Sequence, residues 1–308
     1  MEKVSPPKSD NKFTAKCRVL QSRYRDLKLK EPHGFGPTKG SDKKYGNMLV
    51  NGEQTGSNFI SKAAFDFARE KVIEKQVNKY LTIDEYRLFN NMLSSMPMCF
   101  NLFSDLRKLL IHSSSETAII IRQLFSELDW IEDVTYIDVE FIPIPISAYT
   151  NDKSAFDAMI IVKDKNGKRG LISIETKYTD ILGNNTSADT RTKDEIISDG
   201  KFFDPHLVSE LKDKGYKQIH RNFLLTYIYA KKNGFKNFIN VVISPSDDKL
   251  STEEISEMKQ HMTKFDNCIM KIDLEEFVQR GINCRQPEFS ELMRDFRQRY
   301  LEFDGATI

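Results

Sequence analysis

Long apolar runs are missing from this 308-residue chain. Nothing in it approaches the roughly 18 to 20 consecutive apolar residues of a membrane helix, and its start is polar and lysine-rich, without the apolar stretch of a secretory signal. A membrane partner is therefore not expected, and a cytoplasmic location is. Cysteine is scarce: the four, at 17, 99, 268 and 284, never form a C-x-x-C pair, so neither a zinc knuckle nor a disulfide framework is indicated. The sequons at Asn184 and Asn185 carry no meaning in a chain that is not secreted. The five histidines, at 33, 112, 206, 220 and 261, are too scattered to suggest a zinc centre. A G-x-S-x-G elbow, a Walker loop, a G-x-G-x-x-G turn after a strand and an H-E-x-x-H helix are all lacking, which removes the chemistries those motifs serve.

Charge of one sign is also lacking, since the net is only +1. The average hides a polarity. Residues 1–45 carry a local net of +7, leaving −6 for the rest, and basic clusters recur at Lys163, Lys165, Lys168 and Arg169, at Lys212, Lys214, Lys217 and Arg221, and at Arg285, Arg294, Arg297 and Arg299. Such stripes suit a phosphate backbone or, read singly, a solvated face.

With 39% hydrophobic and 30% charged residues the chain has the composition of a globular protein with a real core. The first sixty residues are rich in Pro and Gly around one short helical candidate at 14–29, and read as an irregular basic arm that either wraps a nucleic acid or lies over the core. Helical spacing begins at Ser61, placed as a cap, and a second helix is expected from Thr82 to about Asn91. The tract Ser94 to Phe103 is densely apolar around Pro97 and should be interior, where Asn101 must find hydrogen-bond partners. A further helix is predicted from Ser114 or Ser115 to about Asp129. The period then switches to two: Val134–Ile142, Ala155–Val162 and Arg169–Tyr178 read as strands. A polar, disordered-looking loop is expected at about 180–195, then a long helix from Pro205 to Lys231 interrupted near Gly215. A strand at Phe238–Ser244, a helix at 251–264, a strand at 268–272 and helices near 273–280 and 287–302 complete the chain. This order predicts an α/β fold, a mixed central sheet flanked by helices. Residues 1–113 are assigned to the basic arm and a helical region, and 114–308 to the core with its C-terminal helices.

The chemistry concentrates in one hairpin. Asn166-Gly167 is a strong turn signal, and it fixes which residues face each other. A two-residue loop sets Asp157 across from Thr176; a three-residue loop sets it across from Glu175. Either way two carboxylates meet, because facing Cβ atoms lie about 4.5 to 5.5 Å apart. Strand alternation places Ser173, Glu175 and Lys177 on one face. Crowded carboxylates repel unless a cation neutralises them, and Mg2+, with Mn2+ as an alternative, uses one or two carboxylates plus waters and a substrate phosphate. Such an ion would generate a nucleophilic water, Lys177 would orient it or stabilise transition-state charge, and the Thr176 carbonyl is a further candidate ligand. The competing reading is a surface salt bridge between Asp157 and Lys177.

Asp157, the hairpin and Glu175-Thr176-Lys177 resemble the core motif of the PD-(D/E)XK nuclease superfamily, to which most type II restriction endonucleases belong. Phe156 stands where the proline of that name would be. The resemblance implies a restriction-endonuclease-like sheet and assigns metal binding and water activation to Asp157, Glu175 and Lys177. It adds Glu140, just before Pro143, as an extra acidic residue, and Gln218, with His220, Arg221 and Asn222, as a phosphate-proximal group on the following helix. Tyr45-Gly46-Asn47, Ser94 to Phe103 and Arg169 to Thr179 further resemble a family of bacterial proteins labelled as type II restriction endonucleases. The implied activity is Mg2+-dependent cleavage of double-stranded DNA in restriction or phage defence, by a homodimer matching a two-fold site and with a cognate methyltransferase as companion. Lys168 and Arg221 are candidate nucleic-acid contacts. A structure-specific or single-strand nuclease, one acting on RNA, and an inactive nucleic-acid-binding protein are the rival expectations.

Overall fold

The computed structural model describes residues 7–180 and 191–303. The chain divides into two compact units, one gathering the residues up to Lys108, Tyr178–Asp180 and those from Glu275 on, the other Leu109–Lys177 and the residues between Asp180 and Glu275.

In the first unit, helix α1 (Lys12–Tyr24) starts where the Asn11 side chain accepts the Thr14 N–H at 2.8 Å. A wide turn through Leu29 follows, then a two-strand antiparallel ribbon, β1 (Gly34–Phe35) with β2 (Lys44–Tyr45), and a single turn, α2 (Gly52–Thr55). The basic arm is thus largely structural. The Arg18 guanidinium grips Asp10 through Nε at 2.7 Å and Nη2 at 3.0 Å, and the buried Arg25 donates to the carbonyls of Glu31 and Gly46. Helix α3 (Lys62–Val77) is capped by Ser61, whose Oγ accepts from Ala64 N at 3.0 Å, and α4 (Glu85–Asn90) is capped by Asp84. The apolar tract around Pro97 is itself helical, the start of α5 (Ser95–His112). Proline is tolerated there because a first-turn N–H has no intrahelical partner to lose. Asn101 is fully used in structure: its Oδ1 accepts from Ile60 N at 2.8 Å, and its Nδ2 donates to Asn58 O and Tyr300 Oη at 3.2 and 3.0 Å.

The second unit opens with α6 (Ser114–Leu124), capped by Ser113 and ending short of the expected Asp129, although Phe125 and Leu128 are still buried. Strands β3 (Asp133–Phe141), β4 (Phe156–Lys163) and β5 (Arg169–Thr176) form an antiparallel meander. Helices α7 (Arg191–Gly200), α8 (Pro205–Lys214) and α9 (Gln218–Lys232) then cross to β6 (Asn237–Ser244), parallel to β5, and α10 (Lys249–Gln260) crosses to β7 (Ile269–Asp273), parallel to β6. The sheet order is β3-β4-β5-β6-β7. Helix-connected strands pair parallel because a hairpin cannot join them. The break between α8 and α9 falls at Gly215, whose φ of 81° suits glycine. Most of the loop expected at about 180–195, with Asn184 and Asn185, lies outside the described residues, and from Arg191 the chain is helical.

The chain closes with α11 (Leu274–Ile282) and α12 (Pro287–Tyr300), which from Glu275 on belong with the first unit, not with the sheet as the linear division at 113/114 had it. Polar groups at the end of α12 account for this. Arg299, buried, donates to Asn58 Oδ1 at 2.6 Å, its carbonyl accepts from Gln21 Nε2 at 2.9 Å, and Tyr300 O accepts from Tyr178 Oη at 3.0 Å. Among the described residues no helix is long and apolar enough to cross a membrane.

Candidate active site

The register at the hairpin is the three-residue one. Ala158 pairs with Ile174 and Lys163 with Arg169, so continuation of the ladder sets Asp157 opposite Glu175. The loop explains the choice. The Asp164 carboxylate accepts from the backbone N–H groups of both Asn166 and Lys168, at 2.8 and 2.9 Å, and only Gly167, at φ 72°, takes the left-handed conformation, which is the three-residue pattern and not a type I′ turn.

One sheet face then carries Asp157, Met159 and Ile161 from β4 and Leu171, Ser173 and Glu175 from β5, and α9 covers it. The apolar residues pack with Leu225 and Ala230. The polar ones meet a polar stripe. Gln218, Asn222 and Thr226 recur every four residues, about 6 Å along a helix, close to the roughly 6.6 Å that separates alternate residues of a strand. Ser173 Oγ therefore lies 2.6 Å from Thr226 Oγ1. Glu175 receives Asn222 Nδ2 on Oε2 at 2.8 Å and Gln218 Nε2 on Oε1 at 2.7 Å. Lys177, one residue past β5, is held by its N–H on Ile243 O at 2.9 Å and returns its ammonium to Glu175 Oε1 at 2.6 Å. Glu175 is 3% and Lys177 7% exposed. Glu175 also sits against the first turn of α9, where the helix dipole favours negative charge.

Asp157 is partly buried, and its Oδ2 accepts from both Thr176 N at 2.8 Å and Thr176 Oγ1 at 3.0 Å. Burial, then the Glu175 charge, pushes its carboxyl up from the ordinary 3.8 to about 7, against the opposing pull of Lys177 and of the two Thr176 donors. Two acids and one ammonium thus share a site with too little positive charge, the condition a divalent cation relieves. The donor set fits a hard cation. A carboxylate has about four lone-pair sites, and the contacts to Lys177, Gln218 and Asn222 leave capacity on Glu175 Oε2.

The other expected residues distribute unevenly. Gln218 joins the site directly, and Asn222, grouped with it in the phosphate-proximal expectation, joins it too by holding Glu175; their i, i+4 spacing was the available signal. Glu140 is carried by the β3–β4 ladder to the position opposite Asp157, and it is buried. Its φ is 53°, and among the described residues Glu140, Asp157 and Glu175 do not bring one carboxylate oxygen each within 4.8 Å of the other two. Arg221 is half-buried near the start of α9. Lys168 is exposed at the hairpin tip, seven residues or roughly 23 Å of strand from Glu175, too far to share a phosphate with it. His220 is buried, lowered to about 4 by burial and by Lys217, and so is a neutral imidazole. The histidines correct one expectation. His206 and His261, remote in sequence, stack at 5.2 Å beside Asp204.

Comparison with protein families gives a match to the PD-(D/E)XK nuclease superfamily over residues 8–302, nearly the whole chain. No curated protein and no solved structure matches the chain. The chain belongs to the PD-(D/E)XK nuclease superfamily, and its mixed five-stranded sheet flanked by helices is the α/β architecture of that fold.

Proposed function

We propose that this member of the PD-(D/E)XK nuclease superfamily is a Mg2+-dependent endonuclease that hydrolyses phosphodiester bonds in double-stranded DNA, acting in restriction or phage defence. The observation that carries the reading is the convergence at one end of the β4–β5 pair: the ladder sets Asp157 opposite Glu175, Lys177 lies 2.6 Å from Glu175, and burial with the Glu175 charge drives the Asp157 carboxyl up to about 7. A purely structural salt bridge would need no second acid, and burying one is costly.

In this reading Asp157 Oδ1, Glu175 Oε2 and the Thr176 carbonyl hold the divalent ion, Mg2+ or Mn2+. When bound, the ion polarises the scissile phosphate and supplies a water of lowered pKa. Lys177 has the reach to position that water and to neutralise charge growing on the phosphate, because its ammonium already lies 2.6 Å from Glu175 Oε1. Gln218 and Asn222 act through Glu175 by holding both of its oxygens, so that the carboxylate does not rotate. Thr176 holds Asp157 in the same way. Duplex DNA is favoured by the basic stripes, and a two-fold dimer by the symmetry of restriction sites, with a methyltransferase as the companion such an enzyme needs.

The test is incubation of the purified protein with supercoiled plasmid, with single-stranded DNA and with RNA, each with Mg2+, with EDTA and as Lys177→Ala. Metal-dependent cutting of the plasmid that disappears in the variant supports the reading. Cutting confined to single strands or to RNA moves the substrate class, and tight binding without cleavage in every buffer makes the protein a binding module.

A further inference from the structure

We propose that Asp204, His206 and His261 form a second metal site, for a borderline transition-metal ion of the Zn2+ class. One donor atom from each lies within 4.8 Å of the other two. A tetrahedral ion with bonds of about 2.0 to 2.1 Å holds its ligand atoms roughly 3.3 Å apart, so rotamer adjustments of about an ångström close the set. Two imidazoles and one carboxylate are the ligands such an ion prefers, unlike the all-oxygen set of Asp157 and Glu175.

The backbone is already locked for this. Asp204 N donates to His261 O at 2.9 Å and Thr263 N to Phe202 O at 2.9 Å, flanking a bridge between Phe203 and Met262, and Thr263 Oγ1 adds a bond to Lys201 O at 2.9 Å. Two segments 57 residues apart are thereby held side by side, at the start of α8 and the end of α10. Within that frame the rings of His206 and His261 lie nearly parallel, 13° apart, and Asp204 Oδ2 lies 2.9 Å from His261 Nδ1, so an ion taken by both atoms replaces their hydrogen bond. Asp204 Oδ1 meanwhile caps α8 on Leu207 N at 2.8 Å, which fixes the carboxylate itself. The site is only partly covered, so water completes the coordination. A bound ion clips α8 to α10.

The proposal is tested on the full chain in excess Mg2+, which keeps the carboxylate site supplied with a hard cation. Zn2+ is titrated against a chromophoric chelator, and Co2+ is followed by its visible absorption, for the wild type, His206→Ala and His261→Ala; neither variant removes the α8 cap. One equivalent of Zn2+ is expected, bound at least tenfold more weakly by each variant, with intense Co2+ bands of low coordination number in the wild type only. Zn2+ is also expected to raise the melting temperature of the wild type and not of the variants. Equal Zn2+ affinity in all three proteins, or no binding by the wild type, would mean an adventitious ion only and would overturn the proposal. Neither result bears on plasmid cleavage.

Discussion

Asp157→Asn should stabilise this protein while removing its activity. In the folded chain the Asp157 carboxyl keeps its proton up to about 7, whereas an unfolded aspartate releases it near 3.8. Between those values the folded state binds the extra proton, so stability is full at low pH, falls as pH rises through this window, and is wholly lost to this group above about 7. At about 1.36 kcal/mol per tenfold change in proton affinity, the full penalty is about 4 kcal/mol. Asparagine is neutral throughout, and its carbonyl can still accept from Thr176 N and Thr176 Oγ1, the donors that hold the aspartate. The assay is thermal unfolding in EDTA at pH 5 and pH 8. At pH 5, already above the unfolded value of 3.8, the variant should lead by only about 2 kcal/mol. At pH 8 the variant should be more stable by up to about 4 kcal/mol, and Mg2+ should raise the midpoint of the wild type alone. A variant that melts at or below the wild type at pH 8 without metal would refute the idea that the two carboxylates are in electrostatic conflict.

Three further outcomes follow from the same geometry. Lys177→Met strips the buried Glu175 of its counter-charge and should destabilise the chain by about 3 to 5 kcal/mol, with cleavage falling by at least about a hundredfold, checked by denaturant unfolding beside single-turnover kinetics. Asn222→Ala removes one donor from Glu175 Oε2; a loss of about 1.5 to 3 kcal/mol and a shifted metal-concentration dependence are expected, with Asn222→Gln recovering less than the wild type because the longer side chain does not fit the 2.8 Å contact. Gly167→Ala forces an L-residue to a φ of 72° with open space around its Cβ, so the expected cost is backbone strain alone, about 1 to 2 kcal/mol by chemical unfolding, with cleavage unchanged.

Much of the sheet was legible because its signals are local. The period-two, β-branched pattern of residues 155–162 and 169–178 announces two strands, and Asn166-Gly167 announces the turn between them. The register was narrowed to two choices, and the Asp164 side chain, bridging two loop N–H groups, decides for the one that faces Asp157 with Glu175. Pro205 and Gly215 marked the bounds of α8 for the same reason: an N1 proline and a positive-φ stop act within a few residues.

What stayed hidden depends on contacts distant in sequence or on competing local rules. The tract around Pro97 read as interior without showing its secondary structure; Pro97 lies in the first turn of a helix, where its missing N–H costs nothing. Glu140 faces Asp157 in the ladder at a φ of 53°, a conformation that strand periodicity does not reveal. The attachment of α11 and α12 to the N-terminal unit rests on Arg299 and Tyr300 finding Asn58, Gln21 and Tyr178, pairings separated by more than a hundred residues. The same holds for His206 and His261, which the Phe203–Met262 bridge and the backbone bonds beside it bring together.

The central claim is that Asp157 and Glu175 jointly hold the ion on which cleavage depends. Its most direct test is Mn2+ binding, read by electron paramagnetic resonance in the same samples as Mn2+-supported plasmid cleavage, for the wild type, Asp157→Asn and Glu175→Gln. Binding and cutting should collapse together in each variant while both remain folded. Wild-type cleavage in either variant, or Mn2+ held undiminished without Asp157, would contradict it.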